Sequence, residues 1–73
     1  MGASGEVDKD SVLRVLRANS VSVSHDQATN EYTISKGDLT EVHVLSARLS
    51  RRMVHYFARK YDIHIHLFYN PPK

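Results

Sequence analysis

Three short stretches of alternating apolar and polar residues place the strongest constraint on how this chain folds. In residues 20–24, 31–35 and 41–44, every second residue is Val, Tyr or Ile, and the residues between them are polar. Alternation with a period of two is typical of a β-strand that buries one face. Segments 25–30 and 36–38 carry Asp, Asn and Gly residues that favour turns. We therefore predict three strands in an antiparallel meander.

The segments before and after these strands have apolar residues at the spacing of a helix. The pattern predicts a first helix over Lys9–Ala18, capped by Asp8 or Asp10, because its four apolar residues fall on one side. A longer second helix is predicted over Ala47–Tyr61, with Ser46 as its cap. Its apolar arc contains Leu49, Met53, Val54, Tyr56, Phe57 and Tyr61.

The last part of the sequence alternates again. Apolar residues stand at every second position from Ile63 to Tyr69, which predicts a fourth strand that ends at Asn70-Pro71-Pro72. The predicted order is therefore α-β-β-β-α-β. We expect a two-layer α+β sandwich, with both helices on one face of a small, mainly antiparallel sheet. With 73 residues, the chain has room for one domain, which we place at residues 8–73 after a flexible tail of residues 1–7.

Charge is distributed unevenly along the chain. The formal net charge is +2, but residues 1–41 sum to −3 and residues 42–73 sum to +5. The sequence has no cysteine, which excludes disulfides, thiolate metal sites and a cysteine nucleophile. It has no apolar run of about 20 residues and no signal-peptide pattern, so we expect an intracellular, cytoplasmic location without membrane contact. The small size and the lack of a Gly-rich phosphate loop favour a non-catalytic protein without cofactor.

The excess of positive charge is concentrated on the second helix. A row at spacing i, i+4, i+8 and its neighbours lie opposite the apolar arc: Arg48, Arg51, Arg52, His55 and Arg59. Guanidinium groups form forked hydrogen bonds with phosphate oxygens, so this stripe predicts contact with nucleic acid or another phosphate. A solvated helix face and an acidic protein partner are the alternatives.

Residues 51–63 resemble the central helix of the Arg-x-x-x-His, or R-three-H, nucleic-acid-binding domains. The positions that match are Arg51, Val54, His55, Ala58 and Ile63. The family binds single-stranded nucleic acid, so the resemblance implies that Arg51 and His55 form the contact pair. The segment covers 13 residues, and the three-strand meander before it departs from the arrangement usual in that family.

The predicted element order is also similar to the double-stranded-RNA-binding fold and to small HicA-like RNA-cleaving toxins. Those toxins carry a catalytic histidine after Gly-Ser in the sheet, and Ser24-His25 matches this motif in part, without the preceding glycine. The likeness implies a ribonuclease that depends on one histidine of the sheet.

The remaining histidines form a second candidate group. His64 and His66 would share one face of the fourth strand, and His43 could lie on the same face of a neighbouring strand. Three readings are open for this group: solvated polar residues, a surface that stacks or hydrogen-bonds bases, and a metal site. We treat the three histidines as secondary sheet-face candidates and assign no metal.

Taken together, the residues predict a small nucleic-acid-binding module for RNA or single strands, with no catalytic residue. The alternative is a protein-interaction or dimerisation domain that captures its partner at a sheet edge or at an apolar patch around Phe68. A HicA-like ribonuclease toxin is the third reading.

Overall fold

The structure is a computed structural model and describes residues 6–69. Eight elements follow one another along this part of the chain: β1 (Val7–Asp8), α1 (Lys9–Ala18), β2 (Ser22–Asp26), β3 (Glu31–Lys36), β4 (Leu39–Val44), β5 (Arg48–Leu49), α2 (Arg51–Lys60) and α3 (His66–Tyr69). The α+β class and the predicted run of helix, three strands and helix are confirmed. The terminator Asn70-Pro71-Pro72 and most of the predicted tail lie outside the described residues.

The central sheet is an antiparallel meander in the order β2-β3-β4. One face carries Tyr32 and Ile34 of β3, which are 4% and 0% exposed. Both helices cover this face: the Lys9 ammonium of α1 lies 5.1 Å from the Tyr32 ring centre, and the Tyr61 hydroxyl after α2 donates to the Ile34 carbonyl. The two-layer arrangement therefore follows from the alternation in β3, which gives the helices a continuous apolar surface.

Strand β4 has its polar residues turned towards the helices. The antiparallel register pairs His43 with Tyr32 and Glu41 with Ile34, so these side chains share the covered face. Val42 and Val44 consequently point outward and are 55% and 68% exposed. The alternation predicted the strand correctly, but it did not determine which set of residues faces the core.

Helix α1 begins and ends with local caps. The Asp8 carboxylate accepts a hydrogen bond from the Asp10 N–H at 3.2 Å, as one of the two predicted caps. At the other end Ser20 adopts a left-handed conformation with φ of 67°. The Val21 N–H then reaches back to the Leu16 carbonyl at 3.0 Å, and the Ser20 N–H to the Arg17 carbonyl at 3.2 Å. These bonds form a Schellman motif, which reverses the chain into the sheet.

Helix α2 starts four residues later than predicted. Its cap is Ser50, whose hydroxyl accepts from the Met53 N–H, whereas Ser46 hydrogen-bonds the Arg48 carbonyl instead. The residues before the cap form the two-residue strand β5, which pairs with β1 in the register Val7 to Leu49. Val7 is buried and strand-paired, so the ordered domain takes in a residue that the prediction assigned to the tail.

The end of α2 is fixed by two interactions. Asp62 takes a left-handed conformation with φ of 56°, and the Ile63 N–H returns to the Ala58 carbonyl at 2.9 Å. The Lys36 ammonium of β3 donates to the Tyr61 carbonyl at 3.2 Å. This cation lies at the negative end of the helix dipole, so it ties α2 to the sheet.

The predicted fourth strand, Ile63–Tyr69, is wrong. The segment turns instead into α3, with i to i−3 hydrogen bonds from the Leu67 N–H to the His64 carbonyl and from the Phe68 N–H to the Ile65 carbonyl. Burial explains the difference. A strand would place Phe68 on the face opposite Ile63 and Ile65, whereas the helical turn buries Phe68 to 1% exposure in the common core. The apolar patch around Phe68, which the alternative protein-interaction function would use, is therefore not present in residues 6–69.

The core joins all three helices with the sheet. Its largest fully buried side chains are Tyr61, Phe57 and Phe68, and they pack with Leu16 of α1 and Ile34 of β3. Within residues 6–69, no helix has both the length and the apolar character needed to span a membrane.

Candidate nucleic-acid interface

Two rows of side chains run along the outer side of α2. The first row has the predicted spacing i, i+4, i+8 and contains Arg51, His55 and Arg59. The Arg51 Nε donates a long hydrogen bond of 3.5 Å to the His55 Nε2, so the proposed contact pair is side by side. This bond requires His55 to carry its ring proton on Nδ1. The second row contains Arg52, Tyr56 and Lys60, one helical turn apart.

A groove lies between the two rows. Its volume is about 480 Å³, and its lining residues are Arg52, His55, Tyr56, Arg59 and Lys60. We call this feature the α2 groove. Three of the five predicted site residues line it, and Arg51 adjoins it through His55. The groove thus gathers most of the predicted stripe into one concave surface.

A carboxylate from the neighbouring strand lies beside the groove. The Tyr56 hydroxyl is 2.7 and 2.6 Å from the two carboxylate oxygens of Glu41 and donates its proton to them. The His43 Nε2 lies 2.9 Å from Glu41 Oε1, and the Lys60 ammonium lies 3.0 Å from Oε2. We call these four residues the Glu41 cluster. It connects β4 to α2 and holds two groove-lining residues, Tyr56 and Lys60, in place.

The Glu41 cluster shifts the pKa values of its members. Hydrogen bonds from Tyr56, then His43, then Lys60 stabilise the carboxylate and lower the pKa of Glu41 from 4.5 to about 2. Conversely, donation to Glu41 raises the pKa of the Tyr56 hydroxyl and that of the Lys60 ammonium. Glu41 is therefore ionised, and Lys60 charged, throughout the physiological range of pH.

The arginines of α2 have no such carboxylate. Within residues 6–69, the two ion pairs both involve Glu41, with His43 and with Lys60 as the partners. Arg51, Arg52 and Arg59 are exposed and paired with no acidic side chain of the described chain. The lining of the α2 groove and Glu41 together hold three permanent cations and one anion, so the groove carries a net positive charge.

Arg48 lies apart from this surface. The prediction placed it on the helix, but it belongs to β5, where it stands opposite Asp8 of β1. It lines a separate hollow of about 290 Å³ together with Glu6 and Val44. Because α2 begins only at Arg51, the spacing that put Arg48 in line with His55 does not apply.

The three secondary histidines are not brought together. His43 was expected on the open face of the sheet, but it lies on the covered face, where its ring meets the edge of the Phe57 ring at 5.3 Å. The rings of His64 and His66 are 6.0 Å apart, and the His66 backbone N–H donates to the His64 Nδ1. Nowhere in residues 6–69 do three or more His, Asp or Glu side chains form a group that could hold a metal ion.

His25 and Asp26 serve the turn between β2 and β3. The Ala28 N–H donates to the Asp26 carboxylate at 2.9 Å, which confirms the turn role predicted for that residue. The His25 Nε2 lies 2.9 Å from the Asn30 side-chain oxygen, and its ring stacks on Tyr32 at 4.2 Å. The His25 ring is thus held between the end of this turn and the Tyr32 ring.

Glu41, Tyr56 and Lys60 were not among the predicted site residues. Tyr56 was assigned to the apolar arc of α2, yet it is 40% exposed and its hydroxyl binds Glu41. The sequence did contain one signal: a glutamate in β4 faces a helix that carries tyrosine and lysine four residues apart. That signal is readable only once the phase of β4 is known, because Glu41 and Val42 lie on opposite faces of the sheet.

Comparison with known proteins gives no relative from which to transfer a function. No protein-family model matches the chain, and neither a curated protein nor a solved structure is similar to it.

Proposed function

We propose that this chain is a small nucleic-acid-binding module that holds a phosphate backbone on the outer side of α2. The observation that carries the proposal is that three exposed arginines of α2, Arg51, Arg52 and Arg59, lack an acidic partner within the described chain. A glutamate four residues from an arginine stabilises a solvated helix by about 0.2–0.5 kcal/mol, and α2 contains no acidic residue that could form such a pair. The resemblance of residues 51–63 to R-three-H domains is a separate support for this proposal.

The Glu41 cluster holds side chains of the α2 groove in place, and this rigidity favours a binding site over a solvated helix face. The α2 groove places Arg52 and Arg59 on either side of Tyr56, and the Glu41 cluster fixes that side chain. Guanidinium groups can then form forked, charge-assisted hydrogen bonds to phosphate oxygens with little reorganisation of the site. RNA and single strands are the ligands that we favour.

A salt titration tests this proposal. The affinity of the 73-residue chain for a fluorescent single-stranded RNA oligonucleotide is measured by anisotropy over a series of salt concentrations. Each phosphate contact contributes about 0.7 to the slope of log K against log salt for a single strand. Replacing Arg52 and Arg59 with Ala together is expected to weaken binding and to lower the slope by about 1.4.

The matched control is Arg14→Ala with Arg17→Ala. This double variant also removes two positive charges, but from the exposed side of α1, and it leaves α2 unchanged. The control is expected to keep most of the affinity and the original slope. Equal losses in both double variants would mean that only the net charge matters, and this result would contradict a site on α2. A lack of binding to any nucleic acid would contradict the function itself.

A second candidate function is supported by the free edge of the sheet. Strand β4 is an edge strand and exposes Val42 and Val44 on its outer face. Such an edge can pair with a strand of another chain. Sedimentation of the protein with and without Val44→Lys tests this alternative, because a dimer through β4 would be lost in the variant. A monomer at all concentrations, with intact RNA binding, would favour the first proposal.

A further inference from the structure

Tyr56 has the position and exposure of a stacking platform. Tyr56 is 40% exposed and lines the α2 groove, although its neighbour on α2, Phe57, is fully buried. An exposed tyrosine on a helix usually has a mobile side chain. Here the hydroxyl is bound by both oxygens of Glu41, and the ring packs edge-on against Phe57 and His43 at 5.8 and 6.0 Å. The ring is therefore held in one orientation before any ligand binds.

A fixed ring reduces the entropy that binding must remove. Ordering a mobile side chain at an interface costs about 0.5–1.5 kcal/mol, and the Glu41 cluster has already met this cost during folding. Stacking of one nucleic-acid base on an aromatic side chain is worth about 1–3 kcal/mol. The combination of an exposed ring and a bound hydroxyl therefore suits a flat, uncharged ligand group.

Two cations flank this ring along the helix. Arg52 lies one turn before Tyr56, and Arg59 lies three residues after it, so the two arginines are about 10 Å apart along the helix axis. The groove of about 480 Å³ lies within the range of small-ligand clefts, roughly 300–1,000 Å³. A flat group on the ring thus has anion-binding groups on both sides, which is the pattern of a nucleotide with its two phosphates.

We propose that the α2 groove takes one unpaired nucleotide, whose base stacks on Tyr56 while Arg52 and Arg59 hold the phosphates on either side. This inference rests on the proposed function and narrows it to single strands. In a duplex both faces of each base are already stacked on neighbouring base pairs, so the Tyr56 ring would have no base to contact. The ligand class is therefore single-stranded RNA or DNA.

The experiment compares three ligands of equal length: a single-stranded RNA, the same sequence as a duplex, and an abasic strand that has the phosphates but no bases. Affinities for the wild-type chain are measured by anisotropy at one salt concentration. The single strand is expected to bind about 5- to 150-fold more tightly than the abasic strand, which is the stacking contribution expressed as a ratio. The duplex, whose bases are already stacked, is expected to bind less tightly than the single strand.

Two variants assign the preference to the ring. Tyr56→Leu keeps an apolar side chain but removes the aromatic face, and it is expected to bind the single strand and the abasic strand with equal affinity. Tyr56→Phe keeps the face but loses the hydroxyl that fixes the ring, so it is expected to lower affinity for the single strand less than Tyr56→Leu does. Circular dichroism checks that both variants fold.

Each possible result has a defined meaning. Equal wild-type affinity for the base-bearing and abasic strands overturns the inference, and salt-dependent binding to both would leave the proposed function standing. Preference for the duplex also overturns it. If Tyr56→Phe loses as much as Tyr56→Leu, the hydroxyl and not the ring carries the effect, which overturns stacking. Absence of binding to all three ligands overturns the inference together with the proposed function. The wild-type comparison decides the question even if a variant does not fold.

Discussion

The Tyr56 hydroxyl of α2 donates its proton to a carboxylate on β4, with distances of 2.7 and 2.6 Å to the two oxygens of Glu41. This contact joins residues 15 positions apart and is one of the polar links between α2 and the sheet. It also determines which groups remain free. Because Glu41 is occupied by Tyr56, His43 and Lys60, its charge does not neutralise Arg52 or Arg59.

Replacement of Glu41 with Gln should lower stability and change its dependence on pH. A folded-state pKa of about 2 against 4.5 means that Glu41 stabilises the fold above pH 4.5 and that this contribution disappears as pH falls towards 2. We expect the variant to lose about 1 kcal/mol at neutral pH, since the cluster is partly exposed and screened by solvent. Urea unfolding at a series of pH values measures this difference.

Asp38→Asn provides the control for that experiment. It removes a carboxylate from the exposed turn between β3 and β4 and leaves the Glu41 cluster intact. The control should follow the wild-type curve closely. If the wild-type and Glu41→Gln curves stay parallel from neutral pH down to pH 2, the carboxylate is not stabilised by its neighbours as the structure indicates.

The boundary of the binding surface should separate Arg48 from Arg52. Arg52 lines the α2 groove, whereas Arg48 lies on β5 beside a different hollow. We expect Arg52→Ala to weaken binding of single-stranded RNA about fivefold, equivalent to about 1 kcal/mol, and Arg48→Ala to change it less than about twofold. Anisotropy titrations of the two single variants at one salt concentration test this. A larger loss for Arg48→Ala would move the site towards β5.

Local patterns determined most of the fold. The spacing of apolar residues identified α1, the meander and the buried side of α2, because burial of one face imposes these periods on any helix or strand. Local hydrogen bonding also allowed the Asp8 cap to be predicted. The start of α2 was misplaced because Ser46 and Ser50 are equally good caps by type. Only the pairing of β5 with β1 favours Ser50.

The site was harder to predict because it depends on contacts between distant segments. Arg52, His55 and Arg59 were found from helical spacing, which is local. Glu41 was missed as a site residue because either phase of β4 satisfies the alternation, and β3 and α2 select the phase with Glu41 and His43 inward. The conformation of residues 63–69 likewise depends on distant contacts, since α3, which buries Phe68, packs against α1.

Phe68 provides a direct test of that last segment. A strand would have left this residue on the solvated face, but in α3 it is 1% exposed. Phe68→Leu should cost about 1–1.5 kcal/mol of unfolding free energy, and Phe68→Ala about 3–5 kcal/mol, which approaches the total stability of a domain this small. Val44→Ala, at a residue 68% exposed, is the control and should change stability by about 0.5 kcal/mol or less. If Phe68→Ala and Val44→Ala both change stability only slightly, Phe68 is not buried, and residues 63–69 form the predicted strand instead of α3.

Substitutions at two residues with positive φ should change the free energy of unfolding in opposite directions. Ser20, with φ of 67°, closes the Schellman motif of α1, and Gly37, with φ of 59°, lies in the turn between β3 and β4. A left-handed conformation costs a residue with a Cβ about 1 kcal/mol, and glycine largely avoids this cost. We therefore expect Ser20→Gly to raise the free energy of unfolding by about 0.5–1 kcal/mol, and Gly37→Ala to lower it by about 1 kcal/mol. Nothing lies within 4 Å of a Cβ placed on Gly37, so the loss there would come from the backbone alone. Thermal unfolding of the two variants measures both effects, and a shift of the same sign in both would contradict one of the two backbone conformations.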